Sequence, residues 1–542
     1  MPHDELDEVF GSAESDRGGP DVRGGVGGGA GGGAVWHPAG GVGEVDSAPR
    51  RAIVLGPDLP GIVAEASAAL AEHGQTWQRG GRLVGVAERA SGPTVRVLGP
   101  GALRLRLAEA AIWQRATVDD EGRRKLVTVH PPHDVVAVVS DAGSWPVPEL
   151  AGITSGPIVR PDGSVARSSG YDAATGWYSA VDPSAWVPDD AALCRESADV
   201  ALGELADLTR DYPVASESDR SGLLSGLLTA IARAAIDGPV PLHLVHATTA
   251  GSGKSLWVDA VARIATGSPA PRMPPASTED EDRKRITAFL LAGSPLILID
   301  NVSGTMGGAS MDALLTSRTW TDRLLGSTEM VTMPVTCAIF ATGNNVTIRG
   351  DLARRTIPAR IEPMEERPEE RADLPDLEAL VMRDRDRLLR AALTVILSYM
   401  REPARVSCAP MGSYSAWSRV CREPLIWLGR ADPLEAQATM RGIADVAADT
   451  TTGLLSALMT TFGMGTWSTR DIAELGRDHA IRLAIEEAGM VRGPAIDARA
   501  LGYWLRRTRG RRLGGMILQD AGTGHGHVRR WRVSRAEDQG AT

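Results

Sequence analysis

An α/β fold built around a parallel sheet is the class that this 542-residue sequence predicts, and two patterns within it predict that class. Between residues 190 and 365 strand-like apolar runs alternate with helix-like ones, the order that yields parallel strands joined by crossover helices. One of these strands, at 241–246, runs into a glycine-rich turn that opens a helix, an arrangement in which backbone N–H groups close around a phosphate. A third pattern, three short helices and a hairpin rich in arginine after residue 465, predicts a separate C-terminal unit.

Composition narrows the possibilities. The longest apolar stretches, at 296–299 and 391–397, fall far short of the ~20 residues that cross a bilayer. The acidic segment 1–16 lacks the charged-then-apolar pattern of a secretion signal. Cys194, Cys337, Cys408 and Cys421 are scattered, which implies neither a disulfide framework nor a zinc site. A soluble, cytoplasmic chain without a membrane partner is expected. Of 58 basic residues only Lys125, Lys254 and Lys284 are lysine. The net charge of −10 is unevenly spread: residues 1–50 hold nine acids against three arginines, and 501–542 hold nine arginines against three acids. An anionic partner at the C-terminal end is therefore compatible with the acidic total.

The elements follow in order. Thirteen glycines within 18–43 cannot repay their ordering entropy through burial, so 1–50 reads as a disordered tail. A strand at 53–55, a helix at 61–73, a strand pair across Arg79-Gly80-Gly81 and short β-like pieces between 149 and 187 make 51–190 an α+β accessory domain. Helices at 192–210 and 219–236 lead into the core, 191–365, with strands at 241–246, 295–300 and 335–341 and helices at 255–266 and 280–292. A helical region follows at 366–464, then the unit 465–535 and a tail at 536–542.

The sharpest motif is Thr248-Thr249-Ala250-Gly251-Ser252-Gly253-Lys254-Ser255. Gly251 and Gly253 permit the tight wrapping of a phosphate, and the helix N-terminus adds its positive dipole. Thr249 to Ser255 form the expected ATP-binding loop, with Lys254 on the β/γ-phosphates and Ser255 on Mg²⁺. Thr248 stands where the P-loop pattern has its first glycine, which implies a slightly different loop. In a sequence that uses arginine for nearly every positive charge, lysine at 254 marks a place where a compact ammonium is required.

About forty-five residues on, the apolar run 295–299 delivers Asp300 at its carboxyl end, placed to hold Mg²⁺ through water. Asn301 follows where many such ATPases carry a glutamate, and an amide cannot accept the proton. Glu281 is one candidate base, against its reading as part of an exposed charged helix face. The strand ending in Thr342-Gly343-Asn344-Asn345 offers Asn344 to orient a water or sense the γ-phosphate. Arg354 or Arg355, directly after it, is placed for finger or sensor duty.

At the C-terminal end a helix capped by Ser468 or Thr469 is followed by helices at 479–488 and 497–508, then strands at 513–518 and 527–533. That order is the winged-helix plan, with Arg506, Arg507, Arg509, Arg511, Arg512, Arg529, Arg530 and Arg532 as nucleic-acid contacts. His525 and His527 flank a turn glycine and suggest no metal.

Taken together, these stretches resemble the replication ATPase-helicases of phages and integrative elements, related to superfamily 3 helicases and poxvirus-type primase-helicases within the AAA+ class. Asp211-Tyr212-Pro213, Arg283-Lys284-Arg285-Ile286-Thr287 and Gly350-Asp351-Leu352-Ala353-Arg354-Arg355 add to the motifs above. So do Ile158-Val159-Arg160-Pro161-Asp162-Gly163, Gly170-Tyr171-Asp172 and Thr175-Gly176. The resemblance implies a ring, usually hexameric, with ATP between subunits, Arg354 or Arg355 acting in trans, and single-stranded, forked or origin DNA as partner. No paired-carboxylate polymerase site stands in 1–200. The alternatives are an ATP-gated replication initiator or helicase loader that does not unwind, and an ATP-driven regulator of proteins.

Overall fold

The computed structural model describes residues 50–535 apart from 90–91, 277, 326–327, 349, 364, 366–367, 369–375, 476–478, 493–494 and 524–527, and the side chains of 441–449. The expected tails lie outside the described residues except for Arg50, as do Arg349, His525 and His527. The chain is a mixed α/β protein organised on a five-stranded parallel sheet. Its strands are β1 (Leu242–Ala247), β2 (Arg272–Met273), β3 (Leu296–Met306), β4 (Ala338–Ile348) and β5 (Thr356–Ile361), in the order β2-β3-β4-β1-β5. Because β1 lies between β4 and β5, the loop leaving its carboxyl end opens at a point where successive strands diverge, the place where open parallel sheets bind ligands.

Burial on both faces explains the apolar strand sequences. One face packs against helix α1 (Glu217–Ala232), almost wholly buried, and against α2 (Lys254–Thr266) and α4 (Leu377–Arg401). Two glycines let α1 lie close to the strands: a Cβ at Gly222 would fall 2.6 Å from Pro358 O, and one at Gly226 would fall 2.9 Å from the Phe340 ring. Ser216 caps α1 through Asp219 N, and Asp219 in turn accepts from Arg360 N at 2.8 Å, fastening the helix start to β5. The other face is covered by α3 (Glu279–Leu291), the helix Ala309–Leu314 and an antiparallel hairpin, Thr319–Arg323 with Met330–Pro334. The sequence reading missed this hairpin, whose strands are five residues each.

Two strand limits depart from expectation. β3 runs on to Met306 and β4 to Ile348, so Thr342, Gly343 and Asn344 lie within a strand. Pairing continues because β3 bulges: Ile299 pairs with Ala341 and Val302 with Gly343, leaving Asp300 and Asn301 opposite Thr342 alone. Gly343 is needed there, since a Cβ would meet Val302 O at 2.2 Å.

Before the core, the strands Arg51–Leu55, Ala111–Val118 and Arg124–Thr128 form one sheet and Trp77–Arg79, Arg82–Arg89 and Gly92–Val97 another. Buried Arg79 joins this region to the core. Its guanidinium donates to Leu290 O in the last turn of α3 and to Leu150 O and Ala151 O of the preceding region. The motif 158–176 is a turn staple: Arg160 binds Asp172, whose other oxygen accepts from Thr175 at 2.7 Å, while Asp162 accepts from Ser164 N.

Beyond the core the helix Pro433–Phe462 leads to helices Thr469–Ala473, Ala480–Glu487 and α5 (Ala498–Thr508), and to a sheet of Arg512–Leu513, Met516–Thr523 and Arg529–Arg535. They share a core of Leu454, Leu458, Trp467, Ile481, Leu501, Leu505, Leu518 and Trp531. Ser468 and Asp471 form a capping box on the first of them. The single strand expected at 513–518 is instead two strands folded across Gly514 and Gly515, both at positive φ, as a two-residue hairpin turn requires. Among the described residues no helix is long and apolar enough to cross a membrane.

The closeness of α1 to the sheet gives a test. Alanine normally improves a helix by about 1 kcal/mol over glycine, yet Gly222→Ala should lower stability by roughly 2 kcal/mol, because the added methyl meets the rigid backbone of β5. A urea titration followed by circular dichroism measures it; a stabilised variant would show that α1 can shift away.

Candidate functional site

The loop between β1 and α2 takes its shape from Gly251 and Gly253, at φ 71° and 75°. Thr248 lies outside the left-handed region, so a β-branched residue there meets no backbone strain. Lys254 is 8% exposed and its Nζ donates to Thr249 O at 3.1 Å; Ser252 Oγ donates to the same carbonyl at 2.6 Å. Burial lowers the Lys254 pKa from its ordinary value. Burial, with Arg360 and Lys254 nearby, pulls His246 down to about 4, so this neighbour is neutral at pH 7 and adds no competing charge. Tyr212 supports the loop from below, its hydroxyl donating to Gly253 O at 3.3 Å and its ring packed edge-on against Trp257. That contact accounts for Asp211-Tyr212-Pro213 among the recognisable stretches.

Asp300 is brought to this loop by the bulge in β3. Its Oδ1 accepts from Ser255 Oγ at 2.7 Å and from Thr342 Oγ1 at 2.6 Å. The Thr342 hydroxyl also accepts from Asn301 N at 3.1 Å, so one side chain holds both bulge residues. Asp300 Oδ2 accepts from Arg272, which also bridges to Asp259 of α2. Burial alone would push the Asp300 pKa up, but the hydrogen bonds from Thr342, Ser255 and Arg272 outweigh it and hold the carboxyl below the usual range.

Among the described non-glycine residues, positive φ occurs at Asn301 (61°) and Asn345 (49°), and both are at this site. Asparagine is among the few residues that visit this region readily. Its presence at 301 thus has a backbone cause. Asn345 Nδ2 lies 3.4 Å from Thr248 O. Asn344 pairs across the sheet with Ala247, the last residue before the loop, and its buried Oδ1 has no hydrogen-bond partner among the described residues.

The structure therefore brings Lys254, Ser255, Asp300 and Asn344 together at the mouth of the 249–255 loop. Serine hydroxyl and carboxylate oxygens suit a hard dication such as Mg²⁺, and an unpartnered amide oxygen beside them fits a polar ligand. Arg354 and Arg355 are held elsewhere. Arg354 is 62% exposed and pairs with Asp351; Arg355 is 14% exposed, pairs with Asp351 and donates to Asp312 O at 2.9 Å. Glu281 is bound by Arg285 one turn along α3. Sequence reasoning missed Thr342, Arg272 and Asp259, whose roles come from pairings between distant elements.

The C-terminal arginines divide. Arg509 and Arg529 both pair with Asp520, Arg530 donates to Thr466 O, Arg532 donates to Gln519, and Arg507 donates to Thr305 Oγ1 at 2.6 Å. Arg506 is exposed on α5, Arg511 is part-exposed in the turn after it, and Arg512 is exposed on the strand that follows. Arg499 and Tyr503, also exposed and unforeseen, fall on the same face of α5 as Arg506, and Tyr503 is 61% exposed.

No protein-family model matches the chain, and no curated protein matches it. Solved structures that it resembles include the apo C-terminal region of NrS-1, at TM-score 0.36 and 12% identity over 87% of this chain and 99% of that one. The SCCmec type IV Cch active helicase gives TM-score 0.29 and 12% identity over 84% and 98%. The JCV helicase gives TM-score 0.22 and 12% identity over 43% and 59%. Likenesses this distant define neither a family nor a function, so the functional assignment rests on the site's own atoms.

The Asp300 network has a pH signature. Since the folded carboxyl titrates below its unfolded value, its contribution to stability is complete above about pH 4 and is lost as pH falls through the folded value. Below about pH 4 the wild type should lose stability more steeply than Asp300→Asn, measured as urea midpoints. Parallel curves would mean that the network does not form.

Proposed function

We propose that this chain is an ATP-dependent DNA helicase or translocase of the AAA+ class, a P-loop ATPase with a C-terminal winged helix, serving phage or mobile-element replication. The observation that carries this reading is the convergence of Lys254, Ser255, Asp300 and the unpartnered Asn344 at one loop mouth. In this reading residues 249–255 hold the ATP phosphates, and Lys254 moves from Thr249 O to the β/γ-phosphates. Ser255 and Asp300 hold Mg²⁺, which when bound would neutralise charge on the phosphate oxygens. Asn344 orients the attacking water, and Thr342 keeps Asp300 aimed at Ser255. DNA, single-stranded, forked or at an origin, is met by the arginines of 506–532.

A ring is part of the proposal, with ATP at each subunit boundary. Arg354 suits the finger role better than Arg355, because its guanidinium is exposed and tied only to its own segment. The alternative, an ATP-gated initiator or loader that does not unwind, draws on Asn301: the residue after Asp300 carries no base, which favours slow turnover.

Lys254→Ala should reduce DNA-stimulated ATP hydrolysis about 100-fold or more and abolish strand displacement from a fork, while leaving DNA affinity without ATP intact. Full hydrolysis in that variant sinks the site assignment. Wild-type hydrolysis without strand release would favour the initiator. Arg354→Ala should hydrolyse as poorly as Lys254→Ala yet still bind nucleotide. Mixing the two inactive variants should restore part of the activity, because some boundaries then pair an intact Lys254 with an intact Arg354. If the mixture stays inactive, Arg354 does not act across subunits.

A further inference from the structure

Arg272 has no role in the reading above, yet it occupies the centre of the site. It opens the edge strand β2, paired to Leu298 two residues before Asp300. Its guanidinium spans two carboxylates, Asp300 on β3 and Asp259 on α2. Asp259 is also fixed from the other side, its Oδ1 accepting from Ala270 N at 3.1 Å. Both oxygens of Asp300 are thereby engaged. Its Oδ1 takes two hydroxyl protons, from Ser255 and Thr342, and its Oδ2 takes the guanidinium.

We propose that Arg272 competes with the dication for Asp300 and so sets the Mg²⁺ concentration at which the loop holds nucleotide. The inference rests on the nucleotide-site reading. Three charges decide it: with Asp259 and Asp300 ionised and Arg272 between them, the cluster carries −1. A dication arriving at Asp300 would share one carboxylate with a guanidinium, and two cations a few ångströms apart in a part-buried site repel strongly. Asp300 Oδ2 must therefore be released. Arg272 is 46% exposed on its side chain and can leave at little cost, while Asp259, 17% exposed and held by the Ala270 amide, gives it a place to stay. Without nucleotide the site resists the metal. With nucleotide, phosphate charge tips the exchange, so metal and nucleotide are taken up together.

Simple positioning of Asp300 by Arg272 predicts the opposite sign, since removing a support weakens metal binding. The test is the binding of a fluorescent ATP analogue by the full-length protein, titrated with free Mg²⁺. Arg272→Gln should lower the half-saturating Mg²⁺ by about fivefold, and Arg272→Lys, which keeps the charge, should stay near the wild type. Asp259→Asn should raise it, because the guanidinium then has only Asp300. An unchanged or raised requirement in folded Arg272→Gln overturns the inference. If that variant fails to fold, an unchanged or lowered requirement in Asp259→Asn overturns it instead. A wild type that binds the analogue without any dependence on Mg²⁺ overturns this inference alone, whereas a wild type that does not bind the analogue at any Mg²⁺ concentration overturns the site reading itself.

Discussion

One hydroxyl organises the candidate site. In the β3–β4 ladder Asp300 and Asn301 face Thr342 alone, and such a mismatch leaves the extra residue unpaired and the strand bent. Thr342 Oγ1 repairs both defects, accepting from Asn301 N and donating to Asp300 Oδ1. The bend turns the carboxylate out of the sheet and toward Ser255, while the ladder resumes at Val302 and Gly343. Without that hydroxyl the Asn301 amide would lose its partner and Asp300 Oδ1 one of its two hydroxyl donors. The loop, the carboxylate and the strand that carries Asn344 are thus parts of one hydrogen-bonded object.

What could be read from the sequence was local, and what could not was paired at a distance. The loop was legible because Gly251, Gly253 and Lys254 each answer a constraint within a few residues. Asp300 was legible because a buried strand after such a loop has a polar end. The continuation of both strands was not, because a bulge has no residue pattern of its own; Asn301 at φ 61° is its trace, visible only as an asparagine in an unexpected place. Arg272 and Asp259 looked like two more charges in an Arg-rich chain. The same abundance hid Arg79, whose burial against three carbonyls resembles nothing in its flanking sequence. At the C-terminal end, Gly514-Gly515 was a readable turn passed over as the inside of a strand.

Charge at that end is also less simple than its count. Asp520 spends its carboxylate on Arg509 and Arg529, and Arg507 reaches Thr305 near the end of the strand that carries Asp300. The arginines are therefore not one uniform surface. The exposed face of α5 instead carries Tyr503 between Arg499 and Arg506. The Arg507–Thr305 hydrogen bond joins that helix to β3, the strand that carries Asp300.

Asn301 shows how backbone and chemistry compete at one position. In the proposed reading a carboxylate there would take the proton from water, but the bulge holds the residue at φ 61°, where asparagine rests comfortably and a longer unbranched acid pays backbone strain of order 1 kcal/mol. Two carboxylates of α3 are already engaged: Glu281 is tied to Arg285, and Glu279 accepts from Ser310 N. In that reading, a site whose residue after Asp300 carries no base would bind nucleotide more readily than it hydrolyses it. Turnover would then depend on what a neighbouring subunit of the proposed ring brings to the γ-phosphate.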